Sequence, residues 1–188
     1  NRHINLSKIG LEQATSPTKL VVWPESQMNF DVVEYRESLG EHTLQLLQNY
    51  RANLLFNGTR PVYKQFYNVA AVVNQSGKIF SEYQKVHLIA FGEYLPFRSL
   101  LSRIGFTPLA IDARPAMQPR VNYVGENKIG TTICFESSFP TLSAELRRQG
   151  ATVFINIAND GWFGLTSASL QHLQHLIFRA IETQCNTI

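Results

Sequence analysis

Three residues far apart in the chain, Glu25, Lys85 and Cys134, each follow an extended apolar segment, and together they could form and resolve an acyl thioester. A free thiol with a pKa of about 8.5 is a weak nucleophile at neutral pH until something takes its proton. A carboxylate partly withdrawn from water is a suitable acceptor, and Glu25 is the candidate base. Attack on an ester carbonyl then builds negative charge on oxygen, which a fixed ammonium and a backbone N–H stabilise where water is scarce. Lys85 and the N–H of Phe135 are the candidates, and Lys85 beside the thiol is also expected to lower its pKa. Each residue has a plainer reading in isolation. A lone cysteine is more often a small buried hydrophobe, which is the reading kept for Cys185. Glu25 could be a solvated turn residue and Lys85 a surface hairpin lysine.

The flanking elements must bring these groups to one place. Residues 20–23 form a short β-branched run stopped by Pro24, so Glu25 lies just past a strand end, where α/β sheets present their chemistry. Residues 30–50 carry Val33, Leu39, Leu44, Leu46 and Leu47 at roughly helical spacing, predicting an amphipathic helix. Strands are predicted at 53–57, 66–74 and 79–83, the last two joined by the polar turn Gln75, Ser76, Gly77 and Lys78, which delivers the chain to Lys85. Residues 96–121 lack periodicity and read as a long functional loop. A strand at 128–133 runs into Cys134, followed by a helix at 141–149, a strand at 153–157 and a helix at 169–182. Alternating strands and helices without repeats or linkers predict one α/β domain over residues 1–188.

Composition limits the alternatives. The 188 residues, with hydrophobic types at 44% and charged ones at 16%, suffice for one well-cored domain and exclude a disordered chain. The net charge of +3 comes from scattered basic residues, which gives no nucleic-acid footprint. No apolar run reaches the roughly 20 residues that span a bilayer. His172 and His175, with His87, lack a nearby carboxylate or further ligand at metal-site spacing, so packing and hydrogen bonding are expected in place of a metal. Trp162 and Phe163 are expected to anchor their loop over the core edge, with substrate contact as the other reading for Trp162.

Five blocks stand in a recognisable order: Val21-Val22-Trp23-Pro24-Glu25; Tyr83-Gln84-Lys85-Val86-His87-Leu88 continuing to Phe91-Gly92-Glu93-Tyr94-Leu95-Pro96; Ile133-Cys134-Phe135-Glu136; Asn159-Asp160-Gly161-Trp162-Phe163-Gly164; and Gln171-His172-Leu173 with Arg179-Ala180-Ile181-Glu182. The chain thereby resembles the nitrilase, or carbon-nitrogen hydrolase, superfamily, and within it the bacterial acyltransferase branch that adds the third acyl chain to lipoproteins. The resemblance implies a four-layer α-β-β-α sandwich, a Glu25, Lys85 and Cys134 triad, and no cofactor or metal. It further implies that Glu93 orients the triad and that Phe135 and Glu136 shape the pocket. The implied substrates are a phospholipid acyl donor, such as phosphatidylethanolamine, and a diacylglyceryl-cysteine lipoprotein acceptor. The implied place is the bacterial inner membrane, with this domain on the periplasmic side.

Leu88, Ile89, Phe91, Leu95, Phe97 and Leu100 would then form an apolar lid and lipid contact. The chain departs from the family at both ends. Asn1 to Lys19 lacks the expected first strand and Gln184 to Ile188 the expected longer one, so residues are expected to be missing there, as are the membrane-embedded helices of a longer protein. A soluble amidase with the same triad, or a catalytically dead binding domain, would share the fold.

Overall fold

The structure, a computed structural model, describes residues 2–16, 19–25, 31–34, 36, 39–103, 105 and 112–188. Alternation of side chains along its strands dictates the layering. In β1 (Lys19–Val22), β2 (Ala52–Val62), β3 (Gln65–Val73) and β4 (Ile79–Gln84), one set of residues turns toward helices and the other toward a second sheet. Leu54, Phe56, Val69, Ala71 and Val73 pack with Leu11 of α1 (Arg2–Gln13) and with Leu46 and Leu47 of α2 (Glu41–Tyr50). Leu55, Ala70, Val72 and Tyr83 face the other way, onto Ile129, Ile133, Ile155 and Ile157 of the second sheet.

That sheet comprises β5 (Asn122–Val124), β6 (Asn127–Ile133), β7 (Val153–Ile157) and β8 (Asn186–Thr187). Its outer face carries Phe154, which packs on Leu142 and Leu146 of α4 (Pro140–Arg148) beside the buried Cys185. The long helix α5 (Ala168–Thr183) follows β7 and precedes β8. The result is the α-β-β-α sandwich expected from the resemblance.

Strand order is β1-β2-β3-β4 in one sheet and β5-β6-β7-β8 in the other. The pairs β1–β2, β6–β7 and β7–β8 are parallel, and the others antiparallel. Gly130 in β6 allows the ring of Phe154 to cross close by, because a Cβ there would lie 2.5 Å from it. A buried polar staple joins the sheets. Asn122 donates to the carbonyl oxygen of Ala70 at 3.2 Å and to Thr131 Oγ1 at 3.0 Å, and accepts from Ser81 Oγ at 2.9 Å.

Two expectations change. The helix anticipated over 30–50 is interrupted: Glu41–Tyr50 is one helix, Arg36 and Leu39 are helical on the other side of Gly40, and Val33 lies exposed in a bend. Asp31 accepts the N–H of Val33 at 2.7 Å, an Asx turn that competes with helix formation, and Gly40 at φ 74° breaks the pattern again. Phe30 lies outside the described residues. The loop anticipated over 96–121 contains a short helix, α3 (Arg98–Arg103), and bridges that tie Asp112 to Tyr94 and Ala113 to Phe66. Residues 104 and 106–111, including Ile104 and Phe106, lie outside the described residues.

Candidate active site

Glu25, Lys85 and Cys134 converge from the ends of β1, β4 and β6. Pro24 ends β1, whose last hydrogen bond to β2 runs from the Trp23 N–H to Leu55 O at 2.9 Å, and leaves Glu25 beyond the sheet. The Glu25 carboxylate lies beside the Cys134 thiol and the backbone N–H of Asn159, which favour its charged form, and in the field of both Lys85 and Glu93. Burial pushes its pKa up, outweighing the opposing pull of Lys85. Burial also pushes the Cys134 thiol up, to about 11, with the negative charge of Glu25 adding to the rise. Lys85 and the Phe135 N–H pull the thiol down as the sequence predicts, but they are outweighed. At rest Cys134 is a neutral thiol beside the Glu25 carboxylate.

Lys85 is 1% exposed, and its ammonium donates to Glu93 Oε1 and lies 2.9 Å from Oε2. Glu93 also accepts from Asn68 Nδ2 at 2.7 Å and from the Ile89 N–H at 2.9 Å. It therefore holds the amine and pins the base of the loop that follows. Asn68 is itself fixed by Asn57, whose Nδ2 donates to its Oδ1 at 2.7 Å. An ammonium held in this way keeps one position through a reaction.

Glu136 is fully buried and ties two strand ends together. One oxygen accepts the N–H groups of Val86 at 2.8 Å and His87 at 3.0 Å, and the other accepts the Tyr83 hydroxyl at 2.8 Å and the Ile133 N–H at 2.9 Å. Burial raises its pKa while these four donors oppose the rise. The carboxylate thus sets the Lys85 segment against the Cys134 segment. It is a positioning group and makes no direct wall of the pocket. Phe135, half exposed, sits edge-on to Phe139 at 5.6 Å.

Cys134 opens a 3-10 turn, Cys134–Ser138, and its own backbone is left-handed at φ 55°. Such a conformation costs a non-glycine residue about 1–3 kcal/mol and lifts the side chain out of the line of the strand. Of the predicted lid residues, Leu88 and Leu95 line a cavity of about 550 Å³ together with Val86, Tyr94 and Phe139. Phe91 and Phe97 are 66% and 79% exposed, and Leu100 and Ile89 also face solvent. Trp162 is 73% exposed and does not close over the core; the anchor of its turn is Phe163, edge-on to His172 at 6.1 Å. His87 stacks on Phe139 at 4.0 Å, and burial lowers its pKa. Asn68 and Asn156 also support the site and escaped the sequence reading, because single polar residues in strands carry no periodic signal; Asp160 was read only as part of its block, without a role.

The profile of the carbon-nitrogen hydrolase family matches residues 2–188. A curated apolipoprotein N-acyltransferase of Geobacter metallireducens is 32% identical over 180 residues, 91% of this chain and 34% of its own length. One of Rhodopseudomonas palustris is 34% identical over 175 residues, 87% and 32% of the two chains. The chain spans about a third of the length of these relatives. Among solved structures, a carbon-nitrogen hydrolase of Helicobacter pylori superposes over all of this chain and 67% of its own at a TM-score of 0.71 and 19% identity. An amidase of Nesterenkonia sp. AN1, captured with acrylamide added at its active-site cysteine, superposes over 98% of this chain and 70% of its own at 0.61 and 15% identity. The matched profile, the relatives and the shared sandwich together establish that this chain belongs to the carbon-nitrogen hydrolase, or nitrilase, family of enzymes.

Proposed function

We propose that the chain is the catalytic domain of an apolipoprotein N-acyltransferase that works through a thioester on Cys134. The observation that carries this reading is the buried Cys134 thiol gathered with the Glu25 carboxylate and the fixed Lys85 ammonium. As sulfur attacks the sn-1 ester carbonyl of a phospholipid such as phosphatidylethanolamine, its proton passes to Glu25. The Phe135 N–H and Lys85 receive the charge that develops on the carbonyl oxygen. Collapse breaks the ester C–O bond, Glu25 returns the proton to the leaving alkoxide, and a lysophospholipid departs.

The α-amine of a diacylglyceryl-cysteine lipoprotein then attacks the thioester carbon. An amide forms, the C–S bond breaks, and the amine proton returns to the thiol by way of Glu25. The covalent stage lets two bulky lipids use one pocket in turn. The solvent-facing Phe91, Phe97 and Leu100 favour a lipid donor over a small amide, since they offer apolar contact on and just after the loop that carries Glu93. This reading places the domain against the periplasmic face of the inner membrane. Among the described residues no helix is long and apolar enough to cross a membrane.

Incubation with phosphatidylethanolamine vesicles followed by intact-mass measurement should show one acyl adduct, located on Cys134. Cys134→Ala should abolish the adduct and Cys185→Ser should keep it. Turnover of small amides without lipid adduct would identify an amidase instead, and no adduct with either substrate would leave a binding domain.

A further inference from the structure

Cys134 holds a left-handed backbone without a glycine's freedom, and the surrounding structure secures it by its carbonyl oxygen. Two side chains donate to that oxygen, Asn156 Nδ2 from β7 at 3.0 Å and His172 Nε2 from α5 at 2.9 Å. His172 is buried, and its other ring nitrogen, Nδ1, lies 2.9 Å from Asp160 Oδ1. A carbonyl only accepts, so Nε2 is the donor to it, and Nδ1 is left facing the Asp160 carboxylate.

The other half of this peptide unit is the N–H of Phe135, which lies on the side of the Cys134 sulfur and favours its charged form. In a planar trans peptide the C=O and N–H point in opposite directions, so fixing the oxygen from behind aims the N–H forward. Drawing charge toward the oxygen also makes the N–H a better donor, because hydrogen bonds in series polarise one another.

We infer that His172, backed by Asp160, is a positioning residue for the oxyanion. It orients and polarises the Cys134–Phe135 peptide so that the Phe135 N–H meets the charge that develops as Cys134 attacks a carbonyl. The ring itself touches no reacting atom. The inference rests on the acyl-transfer reading above. Helix α5 suits this task because Arg179, two turns beyond His172 on the same face, donates from Nη1 to Ser137 O at 3.1 Å. One helix thereby splints the nucleophile turn near both ends.

The test compares two reactions of the same sulfur. A p-nitrophenyl acyl ester forms an oxyanion on its way to the thioester, whereas iodoacetamide alkylates the thiol without one. His172→Ala should slow acylation roughly 10- to 100-fold, short of the 10²–10³ lost when an oxyanion donor is removed outright. Its KM and its alkylation rate should stay near those of the native chain. His172→Gln, which keeps a neutral donor near the Nε2 position, should recover most of the loss. Asp160→Asn, at a side chain 41% exposed and so without risk to folding, should slow acylation less than the alanine variant. The amide nitrogen shift of Phe135, sensitive to hydrogen bonding at the preceding carbonyl, should move in His172→Ala and return in His172→Gln.

Acylation at the native rate in His172→Ala would overturn the inference. So would an equal loss of acylation and alkylation in both His172 variants, because that pattern marks packing alone. A native chain that no ester acylates, while the Phe135 signal responds as described, would instead overturn the acyl-transfer reading and with it the oxyanion role.

Discussion

At the residue scale, the neutral resting thiol decides what Glu25 must do. With Cys134 pushed up to about 11, almost no thiolate exists at neutral pH, so the proton must leave during attack and Glu25 must be ionised to receive it. Burial raises the Glu25 pKa, which makes its carboxylate a stronger base and moves the acid limb of the reaction above the ordinary carboxylate range. Below that pKa Glu25 is protonated and the rate falls; above it the rate levels. Glu25→Gln should lose about 10²–10⁴-fold in acylation and should lose the acid limb, its residual rate climbing with pH toward the ionisation of the thiol itself. A pH–rate profile of Cys134 acylation checks both, and a Gln variant that keeps the native acid limb would assign the base elsewhere. The three candidate groups, and their meeting at one place, were legible in the sequence because each stands at the end of an apolar run, a context with physical meaning. The groups that hold them were not. Asn68, Asn156 and Asp160 meet Glu93, the Cys134 carbonyl and His172 only once separate segments of the chain fold together, and no spacing in the chain records such a meeting.

At the scale of elements, the site depends on the ends of β4 and β6 staying in register, and Glu136 is the tie between them. All four of its partners donate, so a carboxamide in its place would turn an NH₂ toward groups that also donate. The Tyr83 hydroxyl can rotate to accept, but a backbone N–H cannot. Glu136→Gln should therefore cost about 2–3 kcal/mol, measured by urea unfolding, and slow acylation by displacing Lys85 relative to Cys134. A variant with native stability would show that the tie is dispensable. Gly130→Ala tests the parallel pair beneath the site. A methyl group 2.5 Å from the Phe154 ring forces a shift between β6 and β7, and the expected loss of about 1–3 kcal/mol should appear as a lower urea midpoint with an unchanged slope. The β6 and β7 strands were legible to within a residue because their runs are β-branched and bounded by turns. The helix over 30–50 was not, because an Asx turn at Asp31 and a left-handed Gly40 overrode a pattern that fitted by spacing alone.

At the scale of the whole molecule, the sandwich buries apolar residues between its four layers yet leaves several large ones facing water, some of them in the loop that carries Glu93. Phe91 and Phe97 are the clearest, and both have left-handed backbones, at φ 63° and 54°. Glu93 lies between them in sequence and reaches Lys85, so the same short loop joins the apolar rim to the amine of the site. Side chains this exposed add little to stability, and replacing both with asparagine, which tolerates the left-handed region, should change unfolding by no more than about 0.5 kcal/mol. If they cover the acyl chain or enter a lipid surface, each withdraws apolar area worth about 1.5–3 kcal/mol from water during the reaction. The double variant should then lose roughly 10²- to 10⁴-fold in kcat/KM with phospholipid vesicles, since each 1.4 kcal/mol is tenfold. With a short-chain soluble ester, which needs neither the lid nor the lipid surface, it should acylate Cys134 at the native rate. Equal rates with vesicles would remove the loop from lipid recognition, and an equal loss with both substrates would assign it to holding Glu93 and Lys85 instead.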